Sequence, residues 1–320
     1  MKKLIALICA MLMLPSMVAC APAQQGGNKV FTVGICQIEP HPALDAATKG
    51  FKDALVAALG EGNVKFIEQN AAGDSNTLNS IITDFVTKKV DLILANATPV
   101  LQTAAAATTT IPILGTSVTE YGVALSIDNF SGTVGGNISG TSDLAPLDKQ
   151  AQMIIDWFPE AKNVGLVYCA SEANSKYQVD TVKKYLEGKG LTATLYSFSS
   201  SSDMASVVEQ AASASDVLYA PTDNTLANGT GVVDGICRPK KVPVIAGEEG
   251  ICSGCGVATL SISYEELGKT TGEMAAKILK GEAKISEMAI QYDPNPVYKY
   301  NKEICDELGL TPPEGYVAIG

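Results

Sequence analysis

Residues 163–177 read N-V-G-L-V-Y-C-A-S-E-A-N-S-K-Y, and this stretch decides the fold. Residues 164–168 are an apolar run of the length that forms a strand buried on both faces. Four polar residues follow it, ahead of a helical pattern: Ser171, Glu172, Asn174 and Ser175. In an open α/β sheet, ligands bind at the carboxyl ends of the strands, so these residues are candidates for a binding site.

A similar plan occurs upstream of this stretch. Residues 33–37 have the pattern of residues 164–168, and residues 91–95 and 216–220 make a second matched pair in the same order. One pair alone could reflect the general likeness of βαβ units. Two pairs in register predict an α/β protein with two similar lobes that face one another.

Hydrophobic periodicity predicts the surrounding elements. Helices are expected at residues 44–59, 75–89, 99–107, 147–158, 175–187, 203–212 and 264–280, and further strands at 64–68, 111–116, 192–198, 242–246 and 257–262. Thr98 is expected to cap the helix that begins at Pro99, which would direct the positive end of that helix toward the strand tip. The aperiodic residues 125–140 are expected to lead into a first crossing between the lobes.

The N-terminus has the pattern of a secretory signal. Residues 1–19 contain two lysines, a short apolar core and small residues, and they are too short to span a membrane. Cys20 follows Met-Val-Ala and resembles the lipobox cysteine of bacterial lipoproteins, which implies acylation of Cys20 (palmitate) and a mature chain that starts there. The alternative is a plain signal peptide with an incidental cysteine. Residues 21–29 are polar and aperiodic, as in a flexible tether.

The charge of the chain limits its partners. The formal net charge is −11, and loss of the two lysines within residues 1–19 would bring it to −13. No basic cluster offsets this acidity, which argues against nucleic acid and against attachment to anionic lipid by charge. The acyl group is left as the membrane anchor. Without residues 1–19 the chain would have 301 residues, a length that suits a two-lobed protein with a sizeable core.

The cysteines predict neither a metal site nor a disulfide framework. Six remain beyond Cys9 and Cys20, and the only close pair is Cys252-x-x-Cys255 in a glycine-containing turn. Free or loosely paired thiols are the first expectation and a local disulfide the second. A zinc site ranks third, because no histidine and no second C-x-x-C pair lies nearby. No cofactor is expected.

Several motifs together resemble those of one family. They are Gln37-x-x-x-His41-Pro42-x-Leu44-Asp45, Thr98-Pro99-x-x-Gln102, Gly140-Thr-Ser-Asp143, Ser171-Glu172-x-Asn174-Ser175, Pro221-x-Asp223-Asn224 and Tyr264-x-x-Leu267-Gly268. They are similar to motifs of the extracytoplasmic solute-binding proteins of ABC importers, within the group that includes tryptophan- and tyrosine-binding lipoproteins. The resemblance covers about residues 30–289. Cys169 and the Cys252-x-x-Cys255 turn depart from it.

The resemblance implies a type I periplasmic-binding fold: α/β, with two Rossmann-like lobes whose parallel sheets are joined by a three-crossing hinge. It divides the chain into a signal peptide (1–19), a lipidated tether (20–29), an N-terminal lobe (30–142 plus about 263–286) and a C-terminal lobe (143–262 plus about 287–320). It also implies an extracytoplasmic, membrane-anchored monomer that delivers a small solute to an ABC permease and its ATPase. The alternative is a lipoprotein that senses a different solute and reports to a receptor.

Charge and hydrogen bonding restrict the ligand. The chain has one arginine, Arg238, in a connection, so a guanidinium clamp on a carboxylate is not expected. Hydroxyls and helix N-termini could hold a carboxylate instead, from Thr98 and Pro99 in one lobe and from Asn174 and Ser175 in the other.

Acidic residues at strand tips of the second lobe are candidates to accept an ammonium, namely Glu172, Asp223 and Glu248. Acidic residues without matching basic ones favour a zwitterion or a cation. The resemblance points the same way, to an amino acid with an aromatic side chain.

The candidate site residues all have plainer interpretations. The full set is His41, Thr98, Pro99, Gln102, Thr119, Ser142, Asp143, Ser171, Glu172, Asn174, Ser175, Asp223, Asn224 and Glu248. Thr98 and Ser175 could simply cap helices, Asp223 and Asn224 could form a turn, and His41 could pack between its flanking prolines.

An enzyme is not expected. The sequence has no G-x-S-x-G elbow and no phosphate loop, and its single histidine cannot build a metal site with scattered thiols. Cys36 or Cys169 could pair with His41 as a nucleophile. A cysteine inside a buried strand is more often a small apolar filler.

Overall fold

The structure is a computed structural model that describes residues 29–319. The expected signal peptide, Cys20 and nearly all of the tether lie outside the described residues. Within the described part, no helix combines the length and the hydropathy needed to cross a membrane.

The described chain alternates between strands and helices. The strands are β1 (Phe31–Gln37), β2 (Val64–Asn70), β3 (Leu92–Asn96), β4 (Ile113–Val118), β5 (Ile138–Ser142), β6 (Asn163–Cys169), β7 (Thr192–Phe198), β8 (Val217–Ala220), β9 (Val244–Ala246), β10 (Ala258–Ser261), β11 (Gln291–Tyr292), β12 (Val297–Tyr300) and β13 (Val317–Ala318). The helices are α1 (Pro42–Leu59), α2 (Ser75–Lys88), α3 (Thr98–Ala107), α4 (Tyr121–Leu125), α5 (Leu147–Trp157), α6 (Ala173–Gly188), α7 (Ser201–Ala214), α8 (Asn224–Asn228), α9 (Thr230–Lys240), α10 (Glu249–Cys255), α11 (Tyr264–Leu279) and α12 (Lys302–Leu308).

The strands form two sheets, one in each lobe. The first sheet has the order β2-β1-β3-β4-β5-β11 and is entirely parallel. The second has the order β7-β6-β8-β9-β10-β12-β13 and is parallel except between β10 and β12. The first five strands of each sheet share one order, with β1 equivalent to β6 and β3 equivalent to β8. This confirms the two similar α/β lobes that the repeated pattern predicted.

The two lobes are also alike at a glycine in the middle of their first strands. A Cβ on Gly34 of β1 would lie 2.7 Å from the Phe85 ring, and one on Gly165 of β6 would lie 2.5 Å from a Leu218 methyl group. A side chain lies directly against the strand backbone at both positions, so any residue larger than glycine would force that side chain to move. Apolar clusters cover both faces of each sheet.

Three crossings join the lobes. They are residues 143–146 between β5 and α5, residues 262–263 between β10 and α11, and residues 293–296 between β11 and β12. The third crossing was expected near residue 287 and comes later. The reason is that β11 still belongs to the first sheet, where Gln291 pairs with Thr141 and Tyr292 with Ser142.

Three local expectations were wrong. Arg238 lies in α9 and not in a connection, and its guanidinium binds the carboxylates of Asp234, Glu303 and Glu307. Cys252 and Cys255 lie in α10 and not in a turn. Thr98 is the first residue of α3, whose N-cap is Ala97 with a φ of 99°. The expectation of free thiols agrees with the structure, in which all six described cysteines are buried and unpaired.

Candidate ligand-binding cleft

A small cavity lies between the lobes, at the carboxyl ends of strands from both sheets. It is lined by His41, Leu44, Ser117, Thr119, Asp143 and Tyr264 on one side and by Asn174, Thr222, Asp223, Asn224, Ala227 and Glu248 on the other. The lobes also touch nearby, where Asn228 Nδ2 donates a hydrogen bond to Glu39 Oε2 at 2.6 Å. The cavity is therefore enclosed by both lobes at once.

The structure brings half of the expected site residues into this cavity. These are His41, Thr119, Asp143, Asn174, Asp223, Asn224 and Glu248. Five further lining residues were not among those expected: Leu44, Ser117, Thr222, Ala227 and Tyr264. Ser117 shares a strand tip with Thr119, and Leu44 and Tyr264 belong to the recognised motifs, so these three carried a signal in the sequence.

The other expected residues lie outside the cavity lining. Thr98 and Pro99 begin α3, and Gln102 is exposed and donates to the Ala124 carbonyl. Ser142 Oγ donates to the Thr119 carbonyl at 2.7 Å, which braces the first crossing.

The remaining expected serines and Glu172 also lie outside it. Ser171 is exposed, with its Oγ 3.0 Å from Cys169 Sγ. Ser175 is buried, and its Oγ accepts a hydrogen bond from Asn174 Nδ2 at 3.3 Å. Glu172 is buried next to the cavity wall, where its Oε2 accepts a hydrogen bond from Asn174 Nδ2.

The carboxylate of Glu172 is held by the start of α8. Its Oε2 accepts from Asn224 N and Nδ2 at 3.0 and 2.6 Å, and its Oε1 accepts from Thr225 N and Oγ1 at 2.9 and 2.8 Å. Both oxygens are therefore bonded within the second lobe. Glu172 fixes the position of α8.

Asp223 and Glu248 are held in the same way. Asp223 Oδ2 accepts from Cys169 N at 2.7 Å and its Oδ1 from Leu226 N at 2.8 Å, which joins β6 to α8. Glu248 accepts from the N–H groups of Gly250 and Ile251 and so caps α10. Each of these carboxylates already has backbone partners for both of its oxygens.

Asp143 differs from these carboxylates because one of its oxygens has no partner. Its Oδ2 accepts from the Tyr264 hydroxyl at 3.0 Å, while its buried Oδ1 has none among the described residues. Two further cavity atoms are buried without a partner, Asn174 Oδ1 and Ser117 Oγ. Buried polar atoms are normally hydrogen-bonded, so these three mark the places where a ligand would bind.

The electrostatics of the cavity favour a positive group. No lysine or arginine is among the described residues that line it. Burial raises the pKa of Asp143 to about 6 and that of Glu248 to about 7. Burial and the nearby Glu172 also raise the pKa of Asp223, and burial lowers the pKa of His41. A cation from a ligand would stabilise the ionised carboxylates.

Two helix N-termini at the cavity remain open to an anion. The N-caps of α1 and α6, His41 and Glu172, make no side-chain bond to the first-turn N–H groups. By contrast α4, α8 and α10 are capped by the carboxylates of Glu120, Asp223 and Glu248. One open N-terminus comes from each lobe, and both carry the positive end of a long helix.

Comparison with known proteins identifies the family of the chain. Residues 32–318 match the family model described as ABC transporter substrate binding protein. A tyrosine-binding protein of Clostridioides difficile is 37% identical over 298 residues, which are 88% of this chain and 85% of that protein.

Two solved structures share the fold along most of the chain. A domain from Streptococcus pneumonia in complex with L-Trp is 31% identical, with a TM-score of 0.86 over 91% of this chain and 100% of that one. A ligand-free, open substrate-binding protein from Clostridium difficile is 37% identical, with a TM-score of 0.69 over 91% of this chain and 99% of that one. The less identical structure, which holds L-Trp, superposes better on this chain than the open one does.

Proposed function

The chain belongs to the family of ABC transporter substrate-binding proteins, and we propose that it captures an amino acid with an aromatic side chain and delivers it to a membrane permease. Its two lobes and three crossings form the type I periplasmic-binding fold. Proteins of this family are extracytoplasmic and bind small solutes.

The observation that carries the proposal is the set of unpartnered groups around the cavity. Asp143 Oδ1 and Asn174 Oδ1 are buried acceptors that suit an α-ammonium. The open N-termini of α1 and α6 suit an α-carboxylate. Because the donors and acceptors come from both lobes, the ligand makes its full set of contacts only when the lobes are closed.

The relatives support the proposal that the ligand has an aromatic side chain. One relative is named for tyrosine and a structural neighbour holds L-Trp, and both align with most of this chain.

A thermal-shift screen of residues 29–320, freed of carried-over ligand, tests this function. We expect a saturable rise in Tm with tyrosine, tryptophan or phenylalanine, because a ligand at a hundred times its Kd stabilises the folded state by about 2.7 kcal/mol. The Asp143→Asn variant should respond far less. A rise in Tm with a sugar and with no amino acid would contradict the proposed ligand, but it would leave the assignment of the fold unchanged.

We also propose that the mature protein is anchored through acylated Cys20. The support is the signal-like sequence of residues 1–19 and the Met-Val-Ala that precedes the cysteine. In cells, Cys20→Ser should release the protein from the membrane fraction. If that variant stayed in the membrane fraction, the proposed anchor would be wrong, and the proposed ligand would be unaffected.

A further inference from the structure

A second and larger cavity lies on the hinge side of the cleft. It is several times larger than the ligand cavity. It is bounded by the start of α1, by α10 and by the second and third crossings. Its apolar wall includes Pro42, Ala46, Ile262 and Val297. An extended ligand would have room there that the ligand cavity lacks.

Two residues line both cavities and so lie between them, Glu248 and Tyr264. Glu248 is fixed by the N–H groups at the start of α10. Tyr264 is the first residue of α11, and its ring is buried in an apolar cluster with Ala43, Ala47 and Ile262. Its hydroxyl donates to Asp143 Oδ2 at 3.0 Å, so the ring is held at both ends.

We propose that the ring of Tyr264 closes the ligand cavity on the hinge side and limits the length of the ligand. It admits a single amino acid and excludes a dipeptide, whose second residue would have to pass the ring to reach the larger cavity. This inference rests on the proposed function, because it presumes an amino acid in the cleft. Tyr264 is then a specificity-determining residue, and its ring and its hydroxyl have separate effects.

Calorimetric titration of three variants tests the proposal, with L-tyrosine, L-tryptophan, Gly-Tyr and Tyr-Gly as probes. The wild type should prefer the single amino acids to the dipeptides by at least about a hundredfold. Tyr264→Ala and the milder Tyr264→Leu should reduce that preference at least about tenfold, because each shortens the wall. Tyr264→Phe keeps the ring and should keep the preference, although it loses the bond to Asp143.

A fourth variant tests the same idea without touching Tyr264. Ala46 lines only the larger cavity, so Ala46→Leu should leave the affinity for single amino acids unchanged. Weaker tyrosine binding by this variant would show that the ligand already enters the larger cavity, and would overturn the proposal. A folded Tyr264→Leu that keeps the wild-type preference, or a Tyr264→Phe that loses it, would also overturn it. A wild type that binds none of the four probes would overturn the proposed function itself.

Discussion

Asp143 connects the cavity to two of the crossings between the lobes. It lies in the first crossing, and its Oδ2 is bonded to Tyr264, which follows the second crossing. Its Oδ1 is buried at the cavity without a partner. An ammonium at this oxygen would be linked through one carboxylate to two of the three crossings, so binding there favours the closed arrangement.

We expect the affinity for the amino acid to fall at acidic pH. Burial raises the pKa of Asp143 to about 6, and only the ionised carboxylate can pair with an ammonium. The affinity should be constant well above pH 6 and fall about tenfold for each pH unit below it. Asp143→Asn should lower the affinity about ten- to a hundredfold near neutral pH and flatten the profile. Calorimetric titration from about pH 5 to about pH 8 measures both effects.

Other titratable groups near Asp143 could also make the affinity depend on pH, so the Asp143→Asn variant is the control. Tyr121 and Tyr264 remain protonated, because burial raises the pKa of both. Glu248 lines the same cavity with a pKa raised to about 7, and the pKa of His41 is lowered by burial. Asp223 also lines the cavity with a raised pKa. A pH profile that persists in Asp143→Asn would assign the titration to Glu248, His41 or Asp223.

The sequence predicted the positions of the acidic residues near the cleft more accurately than their roles. Glu172, Asp223 and Glu248 were correctly expected near strand tips, because each follows a buried apolar run. In the structure their carboxylate oxygens accept hydrogen bonds from backbone N–H groups at the starts of helices. The spacing of residues in the sequence does not predict which way these side chains point. Asp143 was found only through a motif, since nothing local distinguishes its unpartnered oxygen.

At the scale of elements, α1 and α11 form the most extensive helix contact of the first lobe. Glycines make this approach possible. A Cβ on Gly268 of α11 would overlap the carbonyl oxygen of Ala47, and a Cβ on Gly50 of α1 would overlap that of Glu265. The start of α11 also carries Tyr264, so this contact helps to fix the hinge side of the cleft.

We expect Gly268→Ala to lower the free energy of unfolding by about 3 kcal/mol, because the methyl group would push the two backbones apart. Gly235→Ala in α9 is the matched control. Its added Cβ meets nothing within 4 Å, so it should raise the free energy of unfolding by roughly 0.5–1 kcal/mol. Urea unfolding compares the two variants with the wild type. Similar effects at both positions would contradict this account of the helix contact.

The elements that the sequence predicted are those with long apolar patterns. The central strands and helices such as α2 and α6 were expected within a few residues of their observed ends. By contrast α9 was missed, since Gly231, Gly235 and Pro239 weaken its helical pattern. The two residues of β11 could not be predicted either, because their strand exists only through pairing with β5, about 150 residues earlier in the chain.

For the whole molecule, the proposed function predicts that binding changes the arrangement of the two lobes. The structure superposes on the L-Trp complex with a TM-score of 0.86 and on the open relative with 0.69. The open arrangement would separate Glu39 from Asn228 and expose the cavity. Converting a mostly open protein to a mostly closed one requires about 5.5 kcal/mol of differential binding.

We expect the ligand-free protein to be open in solution and to become more compact when the amino acid binds. Small-angle X-ray scattering should show a smaller radius of gyration with saturating ligand. Asp143→Asn should require a higher ligand concentration for the same change, because it loses the charged contact that favours closure. Identical scattering with and without ligand, under conditions where calorimetry shows binding, would contradict capture by closure.

The six buried thiols have a consequence for the lifetime of such a protein outside the cytoplasm, where thiols are readily oxidised. Both lobes contain buried thiols, and none of the six forms a disulfide. One complete unfolding event would expose all six to oxidants together, and wrong pairings would then block the return to the native state. The lifetime of the protein in that compartment is therefore set by the rate at which the chain unfolds, and not by its equilibrium free energy of unfolding.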